Sequence, residues 1–259
     1  MLKFIENLAK SAGNMALEER KHFSSDEIHF KNAKDLVTDV DRKVEQFIRG
    51  EIAAVYPDHA ILGEEGGTVN PGKQAPPEYL WIIDPIDGTT SFVHGSPMSS
   101  VSIGLFRNGK PYAGAVCVPR LGELYSATLG GGAFCNGKPI HVSPCGELTN
   151  SLGITGFACL RAGLPKNNLP HFCRLAPLIR DIRRYGSAAY DLCSVAAGTA
   201  DFFWEMELQP YDVAAGGLIL TEAGGTITDF SGGPDYPRRG IVASNGTLHN
   251  AVLQQLALD

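Results

Sequence analysis

A short apolar strand that ends in two aspartates constrains this chain more than any other feature. The segment from Leu80 to Phe92 reads LWIIDPIDGTTSF, so Asp84 and Asp87 follow the apolar run directly, with Pro85 between them. Two carboxylates held this close repel each other unless one is protonated or a cation lies between them, and hard divalent ions such as Mg²⁺ prefer all-oxygen ligands. We therefore predict a metal site at the end of a buried strand.

The residues that follow these aspartates suit the binding of an anion. Gly88, Thr89 and Thr90 are typical of the start of a helix or turn, where free backbone N–H groups can hold a phosphate. On this segment alone, the alternative that Asp84 and Asp87 only cap a turn has equal weight.

Two further acidic clusters favour the metal site over the turn. Glu64 and Glu65 stand in the run GEEGG at the end of an earlier apolar strand, and Asp212 opens a late apolar helix. An N-cap role would explain Asp212 taken alone. It does not explain why three ends of strands or helices all terminate in acids.

Hydrophobic spacing predicts a mixed α/β (α+β) fold for the rest of the chain. Two amphipathic helices open it, and Thr38 caps the second in a capping box with Asp41. Turn signals between β-rich runs predict an antiparallel meander from Val101 to His141. We expect further strands near 60–62, 79–83, 152–155, 182–185, 201–205, 226–229 and 241–244, and helices near 172–179, 188–197, 213–223 and 248–256.

Composition and charge bound the architecture and the partners. The 259 residues, 44% of them hydrophobic, can bury a core as one large domain or as two joined halves. We expect residues 1–142 and 143–259 to be the halves of one continuous unit. The formal charge of -6 gives no long-range attraction to nucleic acid or to an anionic membrane. Because the polar N-terminal segment is unlike a signal peptide or a membrane span, we expect a cytoplasmic protein.

Three motifs of the sequence resemble the inositol monophosphatase family. They are GEE at 63–65, DPIDGTT at 84–90, and YDVAAG at 211–216 followed by EAGG at 222–225, and their order and spacing agree with the family over nearly the whole chain. The resemblance implies a layered αβαβα sandwich of the inositol monophosphatase and fructose-1,6-bisphosphatase type. It also implies a homodimer and the lithium-sensitive hydrolysis of a phosphate monoester with two or three Mg²⁺ ions per site. The implied metal ligands are Glu64, Asp84, the carbonyl of Ile86, Asp87 and Asp212.

The resemblance also assigns roles around the metal ligands. Glu64 and the hydroxyl of Thr89, partnered by Asp41, would hold the attacking water, although Asp41 could equally serve only the capping box. Two ions would activate the water and stabilise the leaving alkoxide in an in-line displacement. Glu205 would accept hydroxyl groups of a polyol, a place for which Glu207 is a second candidate. The residues expected to contact the substrate are Ile86, Asp87, Gly88, Thr89, Gly186, Ser187, Ala188, Glu205 and Asp212.

The motifs leave the substrate open. We expect myo-inositol 1-phosphate or a similar polyol or sugar phosphate, with fructose 1,6-bisphosphate, adenosine 3',5'-bisphosphate, histidinol phosphate and NADP as alternatives within the fold class. Because some bacterial relatives act through RNA polymerase or RNA, a transcription or RNA accessory role is a further alternative, which the charge of -6 disfavours. We expect one basic group to be solvated or paired with acids; it contains Arg180, Arg183, Arg184, Arg238 and Arg239.

Overall fold

Two long helices open the chain, as the hydrophobic spacing predicts. The computed structural model describes residues 1–24, 28–32, 35–71 and 76–257. Helix α1 spans Leu2–His22, an antiparallel hairpin of β1 (Ile28–Asn32) and β2 (Asp35–Thr38) follows, and α2 spans Asp39–Val55. The hairpin lies where the spacing predicts no regular element.

The capping box at the start of α2 is confirmed. Thr38 Oγ1 accepts a hydrogen bond from the Asp41 N–H at 3.4 Å, and Asp41 Oδ2 accepts one from the Thr38 N–H at 2.8 Å. Asp41 is only 1% exposed. Its carboxyl is therefore turned back, out of solvent, toward the residue that precedes the helix.

The first half of the chain forms an eight-stranded sheet. Its strands are β3 (Ala60–Gly63), β4 (Gly67–Val69), β5 (Tyr79–Asp87), β6 (Ser100–Arg107), β7 (Lys110–Val118), β8 (Glu123–Thr128), β9 (Ala133–Cys135) and β10 (Lys138–Pro139). They lie in the order β10-β9-β8-β7-β6-β5-β3-β4. From β5 to β10, strands that follow each other in sequence pair antiparallel, which confirms the predicted meander. Strand β3 pairs with β5 in parallel.

The central strand β5 is longer than the apolar pattern predicts. The pattern ends at Ile83, but the pairing with β6 continues to Asp87, with a shift in register between Asp84 and Asp87. Pro85 lies within the shift, where its nitrogen has no hydrogen to donate to the ladder. A short helix, α3 (Thr89–Val93), follows directly.

The second half of the chain forms a five-stranded sheet with helices on both faces. Its strands β11 (Leu152–Thr155), β12 (Asp181–Arg183), β13 (Phe202–Glu205), β14 (Thr226–Thr228) and β15 (Ile241–Ser244) lie in the order β12-β11-β13-β15-β14. The helices are α4 (Ala158–Arg161), α5 (Leu169–Leu175), α6 (Ala188–Ala196), α7 (Pro210–Glu222) and α8 (His249–Leu256). Every strand predicted in this half is present.

Proline residues explain where the prediction for α5 is wrong. The spacing predicts a helix near 172–179, but α5 starts earlier, with Pro170 in its first turn, where no backbone donor is needed. It ends at Leu175, two residues before Pro177, which has no N–H to continue the helical hydrogen bonds and lies in a short 3₁₀ turn, Ala176–Leu178. The bounds predicted for β12 also differ from those observed, because the strand spans 181–183 rather than 182–185.

Three apolar cores hold five layers together, which makes the fold the predicted αβαβα sandwich. The first core, with Ile5, Val44 and Trp81, lies between the α1–α2 pair and the large sheet. The second joins both sheets to α6 and α7, and the third packs α5 and α8 on the outer face of the small sheet. Phe203 belongs to the second core, and Glu205, two residues on along β13, shares its face of the strand. The alternation thus turns Glu205 toward the interior between the sheets.

Two of the sequence predictions, the cytoplasmic location and the division of the chain into halves at 142 and 143, stay predictions. Among the described residues, none of the helices combines the length and the apolar character that crossing a membrane would require.

Candidate active site

Three aspartates from two distant segments converge at one end of the large sheet. Asp84 and Asp87 lie on β5, and Asp212 lies in the first turn of α7. Each offers a carboxylate oxygen within 4.8 Å of the others. In a regular strand, residues three apart point to opposite faces. The register shift around Pro85 places both strand carboxylates on the same side, so the irregularity of β5 builds the cluster.

The environment of the cluster penalises negative charge. Burial raises the pKa of Asp84 well above its usual value, and the nearby Glu64, Asp87 and Asp212 raise it further. Asp212 behaves alike, because desolvation and the neighbouring Asp87 carboxylate raise its pKa. A set of crowded oxygen ligands that resist ionisation fits a hard divalent cation, which would remove both the repulsion and the proton.

Asp87 has partners that the other aspartates lack. Its Oδ2 accepts hydrogen bonds from Ser187 Oγ and from the Ala189 N–H, both at 2.7 Å. Burial raises the pKa of Asp87, and these two bonds oppose the rise. Ser187 caps α6 with the same hydroxyl, which accepts from the Tyr190 N–H at 3.4 Å. The start of α6 is thereby fixed to the aspartate cluster.

Thr89 connects the cluster to the capping box of α2. Its Oγ1 lies 3.2 Å from Asp41 Oδ1 and 3.3 Å from the carbonyl oxygen of Ile86. Asp41 therefore serves the cap with Oδ2 and contacts Thr89 with Oδ1. Burial raises the pKa of Asp41 to about 6, although the Thr38 hydrogen bonds oppose this. The two alternatives for Asp41 are compatible in geometry, and its part in catalysis stays a prediction.

The predicted metal ligands and the predicted phosphate cradle share one pocket of about 70 Å³. Gly88 has a φ of 88°, which favours glycine, and a Cβ there would lie 2.8 Å from the carbonyl oxygen of Gly186. The chain that enters α3 and the chain that enters α6 therefore approach each other closely. The pocket is lined by Glu64, Asp84, Ile86, Asp87, Gly88, Thr89, Thr90, Arg161, Gly186 and Asp212.

A wider cleft of about 270 Å³ continues from this pocket toward the small sheet. It includes Gly186, Ala188 and both candidate polyol acceptors, Glu205 and Glu207, whereas Ser187 is fully buried beneath it. Its lining comprises Glu64, Asp87, Ala158, Arg161, Ala162, Arg184, Gly186, Ala188, Glu205, Glu207, Leu208, Gln209, Tyr211 and Asp212.

Glu205 is a buried carboxylate of the wider cleft that lies outside the aspartate cluster. It is 6% exposed, and burial raises its pKa to about 7. The Ala158 N–H donates to Glu205 Oε1 at 3.0 Å, and this bond, with the guanidinium groups of Arg161 and Arg184, opposes the rise. Glu205 is therefore a buried acceptor whose ionised form depends on the protein's own cations.

Comparison with known proteins decides the family. A sequence profile of the inositol monophosphatase family matches residues 1–258. The chain belongs to the inositol monophosphatase family. An inositol-1-monophosphatase from Synechocystis is 44% identical over 226 residues, which are 87% of this chain and 78% of the relative. The Nus factor SuhB from Pseudomonas aeruginosa is 40% identical and covers 98% of this chain and 94% of its own length.

The solved structures agree with the sequence relatives. The inositol monophosphatase from Anabaena (Nostoc) superposes with a TM-score of 0.88 at 38% identity and covers 98% of this chain and 94% of its own. The shared fold and family make the chain a phosphoric monoester hydrolase that acts on small phosphate esters. The family is metal-dependent, and the acidic cluster on β5 and α7 is suited to hold the metal.

Two residues at the site of this inositol monophosphatase family member, Arg161 and Glu45, are not predicted from the sequence motifs. Arg161 ends α4, a single helical turn that no hydrophobic spacing predicts. Glu45 lies on the buried face of α2, outside the motifs, and accepts hydrogen bonds from the turn that carries Glu64. The glycines on both sides of Glu64 and Glu65 are the one sequence signal that could have indicated such a close neighbour.

The structure divides the basic group that the sequence predicts to be solvated or paired. Arg183 pairs with Asp181 at 2.5 Å and Arg239 with Asp235 at 3.1 Å, as expected. Arg184 is different, because it lines the cleft beside Glu205. One member of the group therefore belongs to the site.

Proposed function

We propose that the chain is a Mg²⁺-dependent phosphatase that hydrolyses myo-inositol 1-phosphate or a similar polyol or sugar phosphate. In this proposal water attacks the phosphorus in line, assisted by two metal ions. The observation that carries the proposal is the convergence of three carboxylates within 4.8 Å beside a cleft that contains Glu205.

The proposed metal ligands are Glu64, Asp84, the carbonyl of Ile86, Asp87 and Asp212. Ions bound there would lower the pKa of water, neutralise the phosphoryl oxygens and stabilise the leaving oxygen. The protein contributes the crowding of the acids: the repulsion that raises the pKa of Asp84 and Asp212 is relieved when a cation binds. Asp87, held by Ser187 and Ala189, cannot swing away from this arrangement.

Thr89 and Asp41 are the proposed proton acceptors for the attacking water. The Thr89 hydroxyl donates to Asp41 Oδ1, so its oxygen lone pairs are free to orient a water. A proton taken up at Thr89 Oγ1 can pass to Asp41 Oδ1 over the 3.2 Å hydrogen bond. With a pKa of about 6, Asp41 is ionised at neutral pH and yet basic enough to hold that proton.

Glu205 is the proposed acceptor for the hydroxyl groups of the leaving alcohol. Its Oε1 accepts from the Ala158 N–H, whereas Oε2 accepts no hydrogen bond from the part of the chain that the structure describes. The cleft is large enough for a six-carbon polyol beyond the metal pocket. The proposed contacts of Gly186, Ser187 and Ala188 rest on the family resemblance, and in the structure Gly186 and Ala188 line the cleft.

A second substrate class is favoured by two arginines. Arg161 and Arg184 both line the cleft, and neither forms an ion pair with a residue in the described ranges. A guanidinium group in a cleft recognises a phosphate well, because its fork of N–H donors matches the phosphoryl oxygens. We therefore propose sugar bisphosphates, with fructose 1,6-bisphosphate as the example, as the second candidate.

A homodimer is proposed from the family resemblance alone. Sedimentation velocity at several protein concentrations tests it, with a mass of twice 27.7 kDa expected. A particle of single-chain mass at all concentrations would contradict it.

Phosphate release from a substrate panel tests the proposed function. The panel contains myo-inositol 1-phosphate, fructose 1,6-bisphosphate, adenosine 3',5'-bisphosphate, histidinol phosphate, NADP and an aryl phosphate, each with Mg²⁺ supplied. The polyol and sugar phosphates should give the highest kcat/KM. A preference for the nucleotides would contradict the proposed substrate class while leaving the chemistry in place.

A further inference from the structure

The turn that carries Glu64 is tied to a buried glutamate of α2. Glu45 is only 2% exposed. Its Oε2 accepts a hydrogen bond from the Glu65 N–H at 2.8 Å, and its Oε1 accepts one from the Gly66 N–H at 2.7 Å. One carboxylate therefore binds both backbone donors that follow Glu64 directly.

Arg49 completes this attachment from the next turn of α2. Its Nε donates to Glu45 Oε1 at 2.8 Å, and its Nη2 donates to the carbonyl oxygen of Gly67 at 2.6 Å. The guanidinium group balances the buried negative charge, which would otherwise be expensive. The turn is thus held at its N–H groups by Glu45 and at a carbonyl by Arg49.

The glycines of the turn are required by this contact. A Cβ at Gly63 would lie 2.6 Å from the carboxyl carbon of Glu45, and a Cβ at Gly66 would lie 2.7 Å from its Oε1. Gly63 and Gly66 therefore flank Glu64 and Glu65, and a side chain at either glycine would displace Glu45. The run GEEGG is explained by the close approach of α2 as well as by its acids.

Repulsion between Glu64 and the aspartates explains why the Glu64 turn needs to be held by Glu45 and Arg49. Carboxylate oxygens of Asp84, Asp87 and Asp212 lie within 4.8 Å of one another, and Glu64 lines the same pocket, so without a cation the like charges repel Glu64. Glu64 lies in the three-residue turn that joins β3 to β4, and the two N–H groups that follow it in this turn donate to Glu45. Backbone hydrogen bonds to a buried, charged acceptor are strong enough to hold such a turn in place.

We propose that Glu45 is a positioning residue, which holds the Glu64 turn at the metal site before the metal binds. The inference rests on the proposed function, in which Glu64 is a metal ligand. It adds that the affinity for metal depends on a carboxylate that does not contact the ion. Residues that orient ligands in this way typically contribute tenfold to a hundredfold in metal affinity.

Titration of metal-free protein with Mg²⁺ alone tests the proposal, with calorimetry and the rise in unfolding temperature as readouts. Glu45→Gln keeps the shape but turns one accepted hydrogen bond into a contact between two donors. We expect Kd for Mg²⁺ to rise by about tenfold to a hundredfold, while kcat for an aryl phosphate recovers at saturating Mg²⁺. The matched control is Glu51→Gln on the exposed side of α2, which should bind Mg²⁺ as the wild type does.

Two outcomes would overturn the proposal. One is a folded Glu45→Gln protein with wild-type affinity for Mg²⁺, and the other is a kcat that stays low at saturating Mg²⁺. Arg49→Lys, which retains the charge but loses the fork of N–H donors, gives a milder test if Glu45→Gln does not fold: a smaller rise in Kd supports the proposal and an unchanged Kd contradicts it. Failure of the proposed function is distinct, because the wild type would then not bind Mg²⁺ at all.

Discussion

The two ends of the cleft deal with buried negative charge in different ways. At the metal end, Asp84 and Asp212 are crowded by other carboxylates, and burial and repulsion both raise their pKa well above the usual range. At the other end Glu205 is also buried, but the Ala158 N–H, Arg161 and Arg184 oppose the rise, and its pKa lies at about 7. The first end needs a cation from solution, whereas the second is balanced by the protein itself.

In the proposed function, the metal end carries out the chemistry and the other end selects the substrate. Groups that gain a cation stabilise the transferred phosphoryl group, which is common to all substrates. In the same proposal, the groups that the protein already balances recognise the part of the substrate that varies, the leaving alcohol. Substitutions at the metal end should therefore depress every substrate alike, and substitutions at the other end should discriminate.

The largest effect is expected at the metal end. Asp84→Asn removes a charge from the cluster with little change of shape, so kcat/KM should fall by about 10³-fold for every substrate in the panel. Phosphate release measures it, with Asp58→Asn, at an exposed position, as the control. Near-normal turnover of any substrate by Asp84→Asn would show that the aspartate only shapes the bend in β5.

A smaller and selective effect is expected for Glu205→Gln. Loss of the charged acceptor should lower kcat/KM for polyol phosphates by a factor that corresponds to roughly 1 to 3 kcal/mol of transition-state stabilisation. An aryl phosphate, which offers no hydroxyl, should be hydrolysed almost as before. Glu207→Gln is the matched control, since it changes the second glutamate of the same cleft and should have the smaller effect. Equal damage to aryl and polyol phosphates would place Glu205 in the catalytic machinery or in the fold.

Arg161→Gln should change the preference between substrates that carry one phosphate and substrates that carry two. If the guanidinium contacts a second phosphate, kcat/KM for fructose 1,6-bisphosphate should fall about tenfold, or roughly 1.4 kcal/mol, and more than for myo-inositol 1-phosphate. The ratio of the two kcat/KM values is the measurement. An unchanged ratio would mean that Arg161 contacts the reacting phosphate or only balances Glu205.

The smallest effect is on stability without metal. Because the pKa of Asp84 is higher in the folded than in the unfolded chain, the wild type in chelator loses stability as pH rises from the unfolded value of about 3.8 through the folded value. Asp84→Asn removes that loss, so its unfolding temperature in chelator at pH 8 should exceed the wild type's by about 2–4 °C, on the order of 1 kcal/mol. A lower unfolding temperature at pH 8 would show that the carboxylate is stabilised without a cation.

Much of the site was predictable because its residues stand at the ends of regular elements. The acids after β3, within β5 and at the start of α7 are adjacent to strong apolar runs, so their convergence follows from strand and helix ends meeting. The capping box of α2 is a local pattern and was predictable for the same reason. The αβαβα layering came from the family resemblance rather than from the spacing.

The remaining features depend on contacts between residues far apart in sequence. The extension of β5 through Pro85 requires β6 as a partner, and the single turn of α4 that carries Arg161 has too few residues for a hydrophobic period. Glu45 is 20 residues from Glu65, whose backbone N–H donates a hydrogen bond to the Glu45 carboxylate. The local sequence does not distinguish Arg184 from its neighbour Arg183. Of the two, only Arg184 lines the cleft, and Arg183 pairs with Asp181.

The proposed metal site is tested by the dependence of hydrolysis on added Mg²⁺ after complete removal of metal with a chelator. We expect no phosphate release from myo-inositol 1-phosphate or from an aryl phosphate in the chelator. Both activities should recover over the same range of Mg²⁺ concentration, because both need the cation that the crowded acids would hold. Full activity in the chelator with either substrate would contradict the proposed metal site.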